Sequence, residues 1–124
     1  MKHNVLMILI VAFILGGLTA CGKEAISVQC SESVRDMADD PATAAESFTV
    51  KCPANCISGS IWGVDTYTTD SSICRAALHA GVITSAGGDV TVTRAPGQSE
   101  YAGSERNGIT SQSWGSWDSS FTVE

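Results

Sequence analysis

The chain has 124 residues, 13 acidic and 7 basic side chains, and a formal net charge of −6. That length holds one ordinary domain and excludes a two-domain enzyme. A sequence pI near 4.7 argues against nucleic acid or anionic membranes as partners held by bulk charge. The mean hydropathy of +0.12 averages an apolar leader with an acidic remainder rich in Ser, Thr and Gly.

Met1-Lys2-His3-Asn4 is short and basic, and Val5 to Leu18 is apolar except for Gly16-Gly17. This is the head and middle of a secretory signal. A transmembrane helix needs about 20 apolar residues, so the run is short for spanning. Leu18-Thr19-Ala20-Cys21 resembles the bacterial lipobox. That resemblance implies cleavage before Cys21 and lipidation of its thiol, hence a membrane partner through an N-terminal lipid. An ordinary signal-peptidase site fits worse, because Leu18 stands where a small residue is wanted. Gly22 is not the Asp that commonly retains lipoproteins on an inner membrane, which favours the outer membrane where two are present. The expected organisation is a signal over residues 1–20, the lipidated Cys and a tether over 21–29, and one domain over 30–124.

With Cys21 assigned to lipid, Cys30, Cys52, Cys56 and Cys74 remain. An even number in an exported chain reads as two disulfides. Three pairings are possible. A local Cys52–Cys56 bridge is strained. Cys30–Cys52 with Cys56–Cys74 is preferred, each loop of about 20 residues contributing on the order of 3 kcal/mol through the unfolded chain. A zinc site is disfavoured by the lack of C-x-x-C and by the single histidine left after cleavage, His79.

Further along, Ser31 to Asp39 is expected to form a weak helix ending before Pro41, with Val34, Met37 and Ala38 on one side. Ser47 to Lys51 alternates as a strand does. Ile61-Trp62 forms a short strand between turns at Gly59 and Gly63. The clearest element is a helix over about 71–80. Asp70 or Ser71 caps it, Ile73, Ala76, Ala77 and Ala80 line one face, and Gly81 stops it. Strands follow at Asp89–Arg94 and Ser119–Val123. Beyond the leader there is one Leu against eight Val and six Ile, a bias toward strand.

Four signatures then fall in order: Cys52-Pro53 with Cys56, Trp62-Gly63 followed by Tyr67, the block Ser71-Ser72-Ile73-Cys74-Arg75-Ala76-Ala77-Leu78-His79-Ala80-Gly81, and Tyr101-Ala102-Gly103-Ser104 leading to Asn107-Gly108-Ile109-Thr110-Ser111 and Phe121. Together, over about residues 48–124, they resemble the LCCL domain. The resemblance implies an α+β fold with one central helix wrapped by irregular antiparallel sheets. It also implies disulfides joining the first cysteine to the second and the third to the fourth. The family consists of accessory binding modules of secreted and matrix proteins, some linked to lipopolysaccharide or other microbial surface components, and no catalytic activity belongs to the module.

Catalytic and metal-ligating patterns are weak. No G-x-S-x-G elbow, G-x-G-x-x-G or P-loop occurs. Asp39-Asp40 reads as a solvated corner rather than a glycosidase pair, and Asp36, Asp39 and Asp40 lack calcium-loop spacing. His79, in the last helical turn, is expected to be structural, bonding a free carbonyl where positive charge is favoured. No catalytic residue, cofactor or metal is assigned. Trp62 is expected in the core. Tyr101, Trp114 and Trp117, in Gly/Ser-rich surroundings, are the candidates for contact with a glycan, and Asn107-Gly108 for a left-handed turn. An anionic ligand would require Lys51, Arg75, Arg94 and Arg106 to gather in one patch. The expected function is a non-catalytic, envelope-anchored module that binds a glycan or other envelope component. Its rival is a structural or protein-partner module of the envelope.

Overall fold

The computed structural model describes residues 24–124. The signal, Cys21 and Gly22 lie outside the described residues. Strands β1 (Ile26–Ser27), β2 (Ser47–Cys52), β3 (Gly63–Val64), β4 (Thr66–Thr68), β5 (Gly88–Pro96), β6 (Glu105–Arg106), β7 (Ile109–Thr110) and β8 (Ser119–Val123) surround one α-helix, α1 (Ile73–Ala80). Six strands make one sheet in the order β1-β2-β5-β8-β4-β3, and β6 pairs with β7. Every neighbouring pair is antiparallel except β1 and β2, which run parallel. The fold is α+β with two disulfides, as expected, but its large sheet is mixed.

Alternation explains the centre of the sheet. In β2 the side chains of Phe48, Val50 and Cys52 are buried while Lys51 is exposed. Val92 and Val90 of β5 stand opposite Phe48 and Val50, and Phe121 of β8 stands opposite both Tyr67 and Arg94. These side chains share one face, because partners across a ladder point the same way. Helix α1 packs on that face through Ile73, Ala76 and Ala77, all fully buried; alanines let sheet and helix approach closely.

The helix begins two residues later than the sequence suggests. Ser72 is the N-cap, its Oγ accepting from the Arg75 N–H at 3.2 Å. Ser71 is engaged elsewhere: its Oγ accepts from the Trp62 N–H at 2.9 Å and lies 2.8 Å from Thr68 Oγ1. At the other end Gly81 adopts φ 79°, and its N–H reaches the Ala77 and Leu78 carbonyls, the left-handed stop expected of glycine. Asn107 and Gly108 form the left-handed β6–β7 turn with φ 53° and 75°.

Three expectations need correction. Ser31–Asp39 is a run of turns, not a helix, although Val34 and Met37 are buried. The Ser33 N–H and hydroxyl both bond Asp36 Oδ2 at 2.9 Å, and the Arg35 N–H donates to the Thr69 carbonyl at 3.0 Å, so the backbone finds its partners outside a helix. The tether over 21–29 is too long, since Ile26–Ser27 pairs with Val50–Lys51 and Val28 is buried. Finally, the bridges are not Cys30–Cys52 and Cys56–Cys74. They are Cys30–Cys56 and Cys52–Cys74, with Cα separations of 5.0 and 5.6 Å. Strand alternation turns Cys52 inward to the first turn of α1, where Cys74 sits. Asn55, at φ 57°, then reverses the chain and leaves Cys56 to Cys30. Closure entropy could not have distinguished the pairings, because loops of such similar length differ by only about 0.2 kcal/mol.

Partial reduction followed by stepwise alkylation is expected to recover Cys30 with Cys56 and Cys52 with Cys74. Replacing Cys52 and Cys74 together by alanine is expected to cost about 2–5 kcal/mol in urea unfolding. Replacing Cys30 and Cys56 should cost less, because Cys30 is only half-buried whereas Cys52 and Cys74 lie in the core.

Candidate functional site

His79 is fully buried on the core face of α1. Its Nε2 lies 3.2 Å from the Ser104 carbonyl and 3.1 Å from Ser104 Oγ, and its Nδ1 lies 2.8 Å from the Tyr67 hydroxyl. A carbonyl only accepts, so Nε2 carries the proton, and in the neutral ring Nδ1 accepts from Tyr67. Burial pushes the imidazole below its ordinary value, and burial pushes the Tyr67 phenol up. The histidine is therefore a neutral tie between helix, sheet and the loop that follows β5. The bonded carbonyl belongs to Ser104, not to the helix end. The His79 carbonyl instead accepts from Asn107 Nδ2 at 2.8 Å. No carboxylate bonds the ring, and among the described residues no cluster of His, Cys, Asp and Glu could hold a metal ion.

The segment 98–117 carries the three aromatic candidates, and the structure separates them. Tyr101 is buried: its hydroxyl accepts from the Gln98 N–H at 3.1 Å and bonds Ser120 Oγ. It pins the segment to the sheet and, though only 2% exposed, borders the hollow that Trp114 also lines. Its backbone pairs with that of Trp114. Trp114 is 50% exposed and stands edge-on to half-buried Trp62, with ring centroids 6.4 Å apart. Trp114 borders an open hollow with Ser99, Glu100 and Ser113.

Trp117 lies elsewhere. Its indole N–H donates to Thr69 Oγ1 at 3.0 Å, and the Arg35 guanidinium carbon lies 5.9 Å from its ring centroid. The ring forms part of a cavity of about 600 Å³, lined also by Val34, Arg35, Arg94, Asp118 and Ser119. Arg94 reaches this groove because strand alternation places it on the core face, at the sheet's end. Its guanidinium lies over the Phe48 ring at 5.8 Å, and Nη2 donates to the Thr43 carbonyl at 2.7 Å. The half-buried residue thus covers a core ring with its guanidinium while it lines the groove. The groove thus combines an indole, two guanidinium groups, one carboxylate and hydroxyls in a recess at the sheet's end, the chemistry that holds a polar ligand with an apolar face.

The basic residues named from the sequence do not gather. Lys51 is exposed on β2, Arg75 donates to the Cys56 carbonyl at 3.1 Å, and Arg106 pairs with Asp65 at 2.7 Å. Of that set only Arg94 reaches the groove, and its companion is Arg35, which the sequence reading passed over. A second cavity, about 620 Å³, lies beside the helix and is more apolar, with Leu78, Ile83, Ile109 and Ile57, the last 86% exposed.

Comparison with known proteins gives consistent matches. The LCCL domain family model matches residues 28–121, beginning ahead of Phe48, where the motif resemblance starts, and so including Arg35. Vitrin of Homo sapiens is 45% identical over 78 residues, 61% of this chain and 12% of the relative. Cochlin of Cavia porcellus is 45% identical over 80 residues, 63% of this chain and 14% of the relative. Clotting factor C of Tachypleus tridentatus is 38% identical over 112 residues, 88% of this chain and 11% of the relative. The chain therefore spans only a small part of the length of each.

A buried neutral histidine makes stability depend on pH. Its folded value is depressed, so the unfolded chain binds the proton first as pH falls. The stabilisation is complete above the unfolded value near 6.5 and is lost as pH drops below it. Urea unfolding between pH 7 and 5 is expected to show stability falling by up to about 1.4 kcal/mol per pH unit. His79→Gln should flatten that slope.

Proposed function

Because the chain belongs to the LCCL domain family, we propose that it is a non-catalytic binding module of the bacterial cell envelope whose ligand is a glycan or another envelope component. The observation that carries this reading is the groove in which Trp117 and Arg35 form one wall and Arg94, Asp118 and Ser119 converge beside it. A sugar offers that combination what it needs, an apolar ring face and a rim of hydroxyls. Trp114, exposed at a separate hollow, is the candidate for a secondary contact. The lipobox resemblance at Leu18–Cys21 supports export and anchoring through a lipid on Cys21, and Gly22 favours an outer membrane. Among the described residues no helix is long and apolar enough to cross a membrane. Two acyl chains already give a stable anchor, since each buried methylene contributes about 0.8 kcal/mol.

The second reading, a protein-partner module of the envelope, is favoured by the exposed Ile57 beside the apolar cavity. One experiment separates the two. The full chain in detergent is applied to a glycan array together with Trp117→Ala and Ile57→Asp. Binding of a glycan by the parent and by Ile57→Asp, weakened at least tenfold in Trp117→Ala, is the expected result. No bound glycan, or equal binding by all three, would remove the groove as a glycan site and favour the partner reading. Labelling with palmitate tests the anchor: the protein with Cys21 intact should take up label and sediment with membranes, and Cys21→Ser should do neither.

A further inference from the structure

We propose that the groove at Trp117 selects acidic saccharides, placing the ligand's carboxylate or phosphate between Arg35 and Arg94. This deepens the glycan reading and rests on it.

All 13 acidic side chains lie among the described residues, against Arg35, Lys51, Arg75, Arg94 and Arg106. The surface as a whole therefore repels anions. Two of those five cations nevertheless line one recess. Like charges brought together cost free energy unless something neutralises them. The carboxylate that lines the recess is that of Asp118, which forms an ion pair with neither arginine and leaves one positive charge in excess. Asp118 turns one oxygen toward the Ser119 hydroxyl at 3.3 Å, and the one ion pair among the described residues is Arg106 with Asp65, outside the groove.

The two arginines also differ in how much they are needed structurally. Arg94 covers Phe48 and donates to Thr43, which explains its presence but engages only Nη2. Arg35 lies on an exposed turn, and its guanidinium rests over the Trp117 ring. That contact uses none of its N–H donors. A guanidinium with its donors free is suited to bidentate capture of a carboxylate or phosphate. The neighbouring indole supplies apolar area for the attached sugar ring. The hollow beside Trp114, by contrast, carries Glu100 and no cation, so it does not offer an anion the same welcome.

The test uses the full chain in detergent and three probes: trigalacturonic acid, its neutral methyl ester, and mannotriose bearing a terminal 6-phosphate. Titration calorimetry at low and physiological salt reads the affinities. At least one acidic probe is expected to bind tenfold or more tightly than the neutral ester, and which acidic probe wins decides between carboxylate and phosphate. The preference should shrink with salt. Arg35→Gln should remove most of it, so that acid and ester bind with closely similar affinities. Arg94→Lys, which keeps stem and charge but loses the fork, should reduce it in part. Equal affinity for acid and ester in the parent, or a preference that survives in Arg35→Gln, would overturn the selectivity. Trp117-dependent binding of the ester would in that case leave the glycan reading standing. Failure of every probe to bind in a Trp117-dependent way would remove both.

Discussion

The bond between Cys52 and Cys74 joins the end of strand β2 to the first turn of the one α-helix among the described residues. Cys30–Cys56 crosses it in sequence, so the segment ahead of β2 is tied to the turn behind it. With one Leu among the described residues and an α-helix of eight residues, the domain has little apolar area with which to hold its parts. The crossed bridges restrict the unfolded chain instead, and they hold α1 where Ile73, Ala76 and Ala77 close the core. The helix in turn positions His79, whose two ring nitrogens reach the sheet at Tyr67 and the following loop at Ser104.

That loop is where a binding surface becomes possible. It has only short strands of its own, yet it is fixed at several points: the Tyr101 hydroxyl at Ser120, the Ser111 hydroxyl at the Gly63 carbonyl, Ser104 at His79 and the Trp117 indole at Thr69. Rigid attachment of an irregular segment allows side chains such as Trp117 to hold a defined place at the surface. The groove then draws Arg94 from the end of β5 and Arg35 from the turn before β2, so its walls come from three parts of the chain.

Much of the fold is legible in the residues. Ser47–Cys52, Gly88–Pro96 and Ser119–Val123 alternate over enough positions to declare their faces, and Ile73–Ala80 repeats at helical spacing before Gly81. Strands of two or three residues, such as β3, β6 and β7, have no period to detect. The run from Ser31 to Asp39 misleads because Ser33 and Asp36 bond each other's neighbourhood and compete with the helix their spacing suggests. Disulfide partners are hidden for a different reason, since loops of similar length are almost equivalent and only the facing of Cys52 decides. At the site, Trp117 stands out by its Gly/Ser-rich setting. Tyr101 stands out equally but is buried, because a phenol looks the same in sequence whether its hydroxyl meets water or Ser120. Arg35 gives no local sign at all; its meaning comes from a ring far along the chain.

The parallel sense of β1 has a geometric consequence. Ile26 lies opposite Val50 and Ser27 opposite Lys51, so the backbone ahead of Ile26 leaves by the end of the sheet where β2 starts. Glu24 and Ala25 accordingly border Pro41 and Ala42, next to Thr43, whose carbonyl Arg94 holds. The Ile57 cavity lies toward the opposite end, by Asn55 and Ser85. The end lined by the Arg94 guanidinium is thus the one nearest the point where the chain enters the domain, and the isoleucine end is the far one.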